Sequence, residues 1–482
     1  MDPITSLHGF VTVESGANLP STPAKTVPRV YPGAPQESIE LQRIQHTPLS
    51  YETSRHDEVE TDDVEMSRPA SPELPAEAAE ILPSIWDPYM NRFRFLSCCL
   101  MNLQNGLNDS APGALIPYME KQYNIGYALV SLIFVGNALG FILAAGCLDV
   151  LRTRLGRAKT LALSQALIAL SYIPLVVTAP FPMIPVSFFL TGFGMSINLA
   201  MSNIFCGGMR NGTTALGSLH GSYGIGGTVG PLIATSIVAV GGAIWSRFYF
   251  LTLGLAIFNG CFAAWSFRGY EKEAGPGLVT QTQPTPGTRL NVRTAMSSRI
   301  VLLGALFIFA YQGAEVSISG WVISFLIAAR HGDPSSVGYA TAGFWGGITL
   351  GRFLLSTPAH KIGEKRFVYA VVVGAAIFEA LVWSVPNIVG DAVALAIVGL
   401  LLGPVYPCAA AVFMRGMNRS EQVSGMGVIS AFGSSGGAAA PFTTGLLAQV
   451  AGTFVLHPIA IALFGVMMCC WYGLPSRPKR TE

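Results

Sequence analysis

From Arg92 onward the chain alternates apolar runs with short polar turns, and the runs fall at 94–118, 126–150, 160–180, 183–206, 215–241, 244–267, 299–329, 336–357, 367–386, 388–414, 422–450 and 453–474. Each lies near the roughly 20 residues a helix needs to cross a bilayer, so twelve spanning helices are predicted. The longest polar interval, 268–298, carries Pro276, Pro284 and Pro286 and divides the runs six and six. Residues 1–84 have no sustained periodicity and are rich in Pro, Ser, Thr and acids, which predicts a disordered tail. No charged stretch followed by an apolar one occurs there, so no cleavable secretory signal is expected. The expected division is a tail at 1–84, a six-helix half at 85–267, a central loop at 268–298, a second half at 299–475 and a short tail at 476–482. The fold class is an all-α integral membrane protein.

The halves repeat each other. A shift of 207 residues lays Gly106, Gly113, Gly136, Gly140, Gly156 and Gly192 on Gly313, Gly320, Gly343, Gly347, Gly363 and Gly399. A shift of 210 lays Gly217, Gly226, Gly227 and Pro231 on Gly427, Gly436, Gly437 and Pro441. Duplicated six-helix halves meeting around a midplane site are a transporter architecture.

Composition agrees with the pattern: 51% of residues are hydrophobic and 12% charged, with a mean hydropathy of +0.49. A soluble chain of this size does not sustain those values. Charge is divided unevenly, with 14 acids against 5 bases in residues 1–85 and 13 against 24 beyond. The bases cluster in alternate loops: Arg152, Arg154, Arg157 and Lys159, then Arg210, Arg268 to Arg299, Lys361, Lys365 and Arg366, and Arg415 with Arg419. The opposite loops hold chiefly Lys121, Arg247 and Arg330. The positive-inside rule then puts both termini in the cytoplasm, and the plasma membrane is expected over an internal one. RPASP in the tail either makes Ser71 a phosphorylation site or, the preferred reading, is part of a plain acidic tail. Eight cysteines without a CxxC pair read as buried free thiols.

The chemistry concentrates in NLQNGLNDSAPGALIPY, Asn102 to Tyr118. On a helix, Asn102, Asn105, Asp109 and Pro112 share one face with Asn108 beside them. An intramembrane carboxylate should face a bundle interior or a water-filled cavity and mark a solute or ion site. The amides either bind solute or hold helices together. Pro112 and Pro117 allow a break or bend. Glu315, on a face with Gln312 and Ser319, is the second candidate acid, and two carboxylates sharing a cavity would be poised for proton uptake. Glu379 lies in the ninth run and reads as structural or interfacial. In the fifth run Gly217, Gly226, Gly230 and Pro231 have G-x8-G-x3-G-P spacing, which allows close helix contact and a bend. Asn198, Asn203, Gln312 and His220 are further solute-binding candidates, His220 being alternatively a hydrogen-bonded structural histidine, and Tyr223, Tyr311, Trp321 and Tyr406 either pack within the bundle or offer rings for a ring-bearing solute.

Other chemistries lack their constellations. Gly433 to Gly437 formally reads G-x-S-x-G but lies in a span rather than at a strand-turn-helix elbow. The sequons at Asn211 and Asn418 fall in loops assigned to the cytoplasm. No phosphate loop or metal cluster is visible, so no enzyme activity, ATP-driven pumping, cofactor, metal or nucleic-acid partner is expected. The expected partners are the lipid bilayer, a small solute and protons, and the chain is expected to act as a monomer.

Twelve spans in two halves, with GCLDVLRTRLGRAK at 146–159 and its weaker counterpart HKIGEKR at 360–366, resemble the major facilitator superfamily over residues 90–475. The loop departs from the usual G-x-x-x-D-R-x-G-R, so either Asp149 is its acid, with one extra turn before Gly156, or Thr153 stands in the acid's place. The resemblance implies gating residues among Asp149, Arg152, Arg154 and Arg157. Within the superfamily, GLNDSAPGALIPYME (106–120), SLHGSYGIGGTVGP (218–231), YQGAEVSISGWVISFLI (311–327) and LLGPVYPCAAAVF (401–413) are most similar to fungal relatives of the fucose/proton symporters. That implies alternating access, a cavity lined by helices 1, 4, 7 and 10, and proton coupling through acids. Those symporters carry coupling acids in helices 1 and 4; here Asp109 matches the first, while helix 4 offers only Ser196, Asn198, Ser202 and Asn203. The fifth-helix spacing is associated in the superfamily with antiporters, although Ala234 replaces the closing glycine. Secondary transport with proton-coupled efflux of a metabolite is the expectation. Proton-coupled sugar-like uptake and a non-transporting nutrient sensor are the alternatives.

Overall fold

The computed structural model describes residues 83–273, 297–417 and 419–474. The acidic tail, Ser71, most of the central loop and Asn418 lie outside the described residues. The first set of helices is α1 (Asn91–Tyr123), α2 (Tyr127–Val130), α3 (Leu132–Val176), α4 (Met183–Gly207), α5 (Gly212–Thr235), α6 (Phe248–Ser266) and the short α7 (Tyr270–Glu273). The second set is α8 (Arg299–Arg330), α9 (Pro334–Val337), α10 (Tyr339–Leu354), α11 (Ser356–Ile362), α12 (Glu364–Ser384), α13 (Ile388–Leu402), α14 (Val405–Gly416), α15 (Arg419–Ala451) and α16 (Leu456–Gly473). Among the described residues there is no strand.

Among the described residues, nine helical stretches are long and apolar enough to cross a membrane, by length and composition. The other three expected spans are helical as well, but α1 and α15 are too polar for that measure and α10, with 16 residues, is too short. Outward-facing side chains such as Leu139, Leu170, Ile173, Phe258, Ile377 and Val389 are large, apolar and exposed, as a surface solvated by lipid requires. The chain is a multi-pass membrane protein.

The glycine repeat has a physical basis. Gly156 (φ 74°) and Gly363 (φ 99°) occupy the positive-φ region that L side chains rarely adopt, and each turns the chain between consecutive helical segments. Gly140 lies against Phe189 O where α3 crosses α4, and its repeat partner Gly347 against Ala396 O where α10 crosses α13. Gly192 meets Asn137 O and Gly399 meets Phe344 O at the same two crossings. Gly226 packs on Leu103 O between α5 and α1, and Gly436 on Phe309 O between α15 and α8. In each case an added Cβ would overlap a backbone carbonyl, so the duplicated glycines set equivalent helix approaches in the two halves.

Pro112 and Pro117 do not break α1, which runs unbroken for 33 residues. Proline has no N–H, so the carbonyls four residues earlier lose that intrahelical partner.

The halves meet closely at the end that carries Lys121, Arg247 and Arg330. Gly113 on α1 touches Ser319 O on α8, Gly445 on α15 faces Ser131, Tyr127 and Trp321, and Gly338 abuts the Thr235 side chain. Trp321 Nε1–H donates to Pro441 O at 2.8 Å, and its ring contacts Tyr127 edge-on at 5.7 Å. At the basic-loop end the ion pairs Arg94–Glu273 (2.8 Å) and Arg415–Glu364 (2.9 Å) each stay within one half. Ser218, His220 and Ser430 are exposed, and polar side chains are disfavoured against lipid. The bundle is thus closely packed at the sparsely charged end, and α5 and α15 carry exposed polar side chains.

Replacing Gly113 by Val should prevent the α1–α8 approach and destabilise this state by about 1–3 kcal/mol, the usual cost of overpacking. A lower unfolding temperature in detergent is expected; an unchanged one would show that this crossing is not tightly packed.

Candidate functional site

Near the middle of α1, Asp109 is half-buried, and its Oδ2 accepts a hydrogen bond from Tyr223 Oη on α5 at 2.8 Å. The Tyr223 ring lies edge-on to Trp345 of α10 at 5.9 Å. Trp345 Nε1–H in turn donates to Ser319 Oγ on α8 at 2.7 Å. One turn before Ser319, Glu315 is 7% exposed, with the Arg352 guanidinium of α10 at 3.9 Å. Tyr311 Oη donates to Leu402 O at 3.4 Å. Its ring packs against Tyr406 of α14 at 6.0 Å. A chain of polar groups thus runs from α1 and α5 in one half to α8 and α10 in the other.

The Arg352 side chain is 24% exposed, and His220 is exposed on α5.

The amides have other partners. Asn105 Nδ2 donates to Asn198 Oδ1 at 2.7 Å, and Asn198 Nδ2 returns a bond to Asn105 Oδ1 at 3.3 Å, a reciprocal pair joining α1 to α4. Asn102 donates to Leu219 O at 3.1 Å. Asn108 accepts from Tyr172 Oη at 2.5 Å and faces Met195 Sδ at 3.7 Å. Of the two roles left open for these amides, the geometry supports joining helices. Asn203 is half-buried, and its Oδ1 is among the buried atoms without a hydrogen-bond partner. Gln312 is half-buried and turned toward Gly433 of α15. Trp321 is 1% exposed, in the closed end rather than beside the acids. Glu379 forms a buried pair with His457 at 2.7 Å between α12 and α16, in keeping with a structural reading.

At the basic loop Arg157 is buried. Its backbone N–H donates to Glu271 Oε1 at 2.5 Å, and its guanidinium lies 4.5 Å from the Tyr270 ring. Arg152 is half-buried and Arg154 exposed. Thr153 Oγ1 donates to Val150 O of its own helix at 3.1 Å. The Asp149 side chain lies outside the described ones.

Sequence reasoning missed Arg352, Glu271 and Glu273. Arg352 sits near the end of the run 336–357, where a base ordinarily reaches interfacial water. The two glutamates immediately follow the sixth run, where the charges read as loop.

A family model, the Major Facilitator Superfamily, matches residues 98–441 and again 317–482. The chain belongs to the major facilitator superfamily. Its fold is that of a small-solute transporter. Among superfamily relatives, the yeast (Saccharomyces cerevisiae) "Bypass of stop codon protein 6" is 26% identical over 424 residues, covering 81% of this chain and 84% of that one. The cis,cis-muconate transport protein of Acinetobacter baylyi is 24% identical over 379 residues, 75% of this chain and 90% of that one. The solved D-xylose-proton symporter superposes with a TM-score of 0.63 at 10% identity, over 79% of this chain and 97% of that one.

Asn105→Ala and Asn198→Ala should each cost about 1–3 kcal/mol by leaving a buried amide unpaired, and the double variant less than their sum. Solute affinity should hold in both. Additive losses of stability, or a selective loss of affinity, would reverse the structural assignment.

Proposed function

We propose that the chain is a proton-coupled secondary transporter that takes up a small organic solute by alternating access, with Asp109 and Glu315 as the proton-carrying groups. The observation that carries this reading is the polar cluster through which Asp109–Tyr223 of one half reaches Trp345, Ser319, Glu315 and Arg352 of the other. Ionisable groups in a spanning bundle are costly, and facing a cleft between two halves is the arrangement that lets them exchange protons with either side. The resemblance to the fucose/proton symporters and the fold shared with a D-xylose-proton symporter support it. In this reading the protein is a plasma-membrane monomer with six-helix halves at 85–267 and 299–475, and the alternation of basic loops supports cytoplasmic termini.

Efflux is the second reading, and it rests on the fifth-helix glycine spacing. That spacing has a use that fixes no direction: Gly226 and Gly230 seat α5 against Leu103, Leu107 and Ser110 of α1. Uptake is accordingly preferred. A sensor acting through the acidic tail is the remaining alternative, and tail deletion that spared flux while abolishing a signal would favour it.

Proteoliposomes of known orientation, loaded with a pH indicator and challenged with sugars and organic acids, test the proposal. Solute-dependent proton movement into the lumen with the solute is expected, reduced roughly tenfold or more in Asp109→Asn, as loss of an essential proton-transfer group requires. Proton movement opposite to the solute would establish efflux. Solute movement without protons, unaltered in Asp109→Asn, would reduce the chain to a facilitator.

A further inference from the structure

The first turn of α1 reads NRFRF, and its two arginines meet different surroundings. They stand two positions apart, which on a helix turns them to nearly opposite sides. Arg94 is buried; its Nε–H donates to Ser266 O at 3.0 Å, its Nη1–H to Asn91 Oδ1 at 3.0 Å, and it pairs with Glu273 at 2.8 Å. Arg92 is half-buried at the outer edge. Among the described residues it enters no ion pair, and its Nε is buried without a hydrogen-bond partner. Its guanidinium lies 3.5 Å from the centre of the Tyr89 ring and 5.5 Å from that of Phe93. Ring contacts offset part of the charge but leave the N–H fork, which is shaped for bidentate contact with phosphate.

A ladder of rings continues from that point along the lipid-facing edge between α1 and α6. Tyr89 meets Phe93 at 5.7 Å, Phe93 meets Trp265 edge-on at 5.2 Å, and Trp265–Phe262 and Phe262–Phe258 are stacked at 5.8 Å each. Tyr89, Trp265 and Phe258 are exposed. Trp265 lies at the end of α6, whereas Phe262 and Phe258 lie about one and two turns deeper, reaching about 10 Å along the helix. An aromatic belt sits at headgroup level, which accounts for Tyr89 and Trp265 but not for the rings below them. The charge at this end is also uneven. Glu273 is engaged by Arg94 and Glu271 by the Arg157 N–H, which leaves Arg92 and the exposed Arg268 and Lys272 against the exposed Asp87. We propose that this α1–α6 edge is a docking site for an anionic phospholipid, its phosphate on the Arg92 guanidinium and an acyl chain along Phe93, Trp265, Phe262 and Phe258. A zwitterionic headgroup would bring an ammonium against the same positive rim and is disfavoured. The site is independent of the solute and of proton coupling, and no covalent bond forms or breaks.

The test titrates the purified full chain in detergent with dioleoyl phosphatidylglycerol or dioleoyl phosphatidylcholine, reading lipid retention by native mass spectrometry and the unfolding temperature. Phosphatidylglycerol should be retained and stabilise the wild type more than phosphatidylcholine does. Its apparent affinity should fall roughly fivefold in Arg92→Gln, as for loss of one interfacial base, be partly kept in Arg92→Lys, and change less in Arg268→Gln. Phosphatidylglycerol with brominated acyl chains should quench the emission of Trp265, taken as the difference from Trp265→Phe, and quench it less in Arg92→Gln; this readout does not depend on stability. Glycerol phosphate, the same headgroup chemistry without acyl chains, should neither stabilise nor compete. Equal retention of the two lipids, equal affinity in wild type and Arg92→Gln, no quenching of Trp265, or stabilisation by glycerol phosphate alone would overturn the inference. Retention that appears only after residues 1–82 are removed would also overturn it, by assigning the guanidinium to the chain's own acidic tail.

Discussion

A charge in the hydrocarbon layer costs about 2.5–3.5 kcal/mol or more, and the centre of this bundle holds three. None is tolerable alone. Asp109 is held by the Tyr223 hydroxyl, Glu315 by Arg352, and the two pairs are joined through Trp345 and Ser319. The members come from both halves, so the arrangement exists only while the halves meet as they do here. Asp109–Tyr223 lies within the first half and Glu315–Arg352 within the second, and the Tyr223–Trp345 ring contact joins the two pairs across the halves.

Close packing of small residues makes the constraint act at the right place. Gly226 and Gly230 bring α5 onto α1, which puts Tyr223 within reach of Asp109. Gly113 lets α1 touch α8 beyond the acids, and Trp321 and Gly445 close the same end. The amides do quieter work. Asn105 with Asn198, and Asn108 with Tyr172, fasten α1 to its own half, so that Asp109 is carried on a helix that moves with that half.

Much of this was legible in the chain. The repeated glycines located the helix crossings because only a missing Cβ allows those approaches, and the same spacing revealed the duplication. Asp109 and Glu315 stood out because carboxylates are rare in spans. Arg352 did not, since it lies near the end of an apolar run, where a long basic side chain ordinarily reaches interfacial water; only the fold shows it turned inward to Glu315. Trp321 looked like a stacking platform, but the choice between solute and packing depends on what α15 places beside it. Likewise Glu271 read as the start of a loop, and its bond to the Arg157 N–H depends on a chain reversal that no local pattern encodes. An apolar groove of about 340 Å³ between α12 and α16, lined by Val372, Ala376, Phe464 and Met468, lies apart from all these groups and offers no polar handle.

A structure with bound solute tests the central claim most directly. The solute should lie between the halves, touching Asp109 or Tyr223 on one side and Glu315 or Arg352 on the other, with water at the basic-loop end. A solute seated within one half alone, or in the groove beside Phe464, would contradict the account.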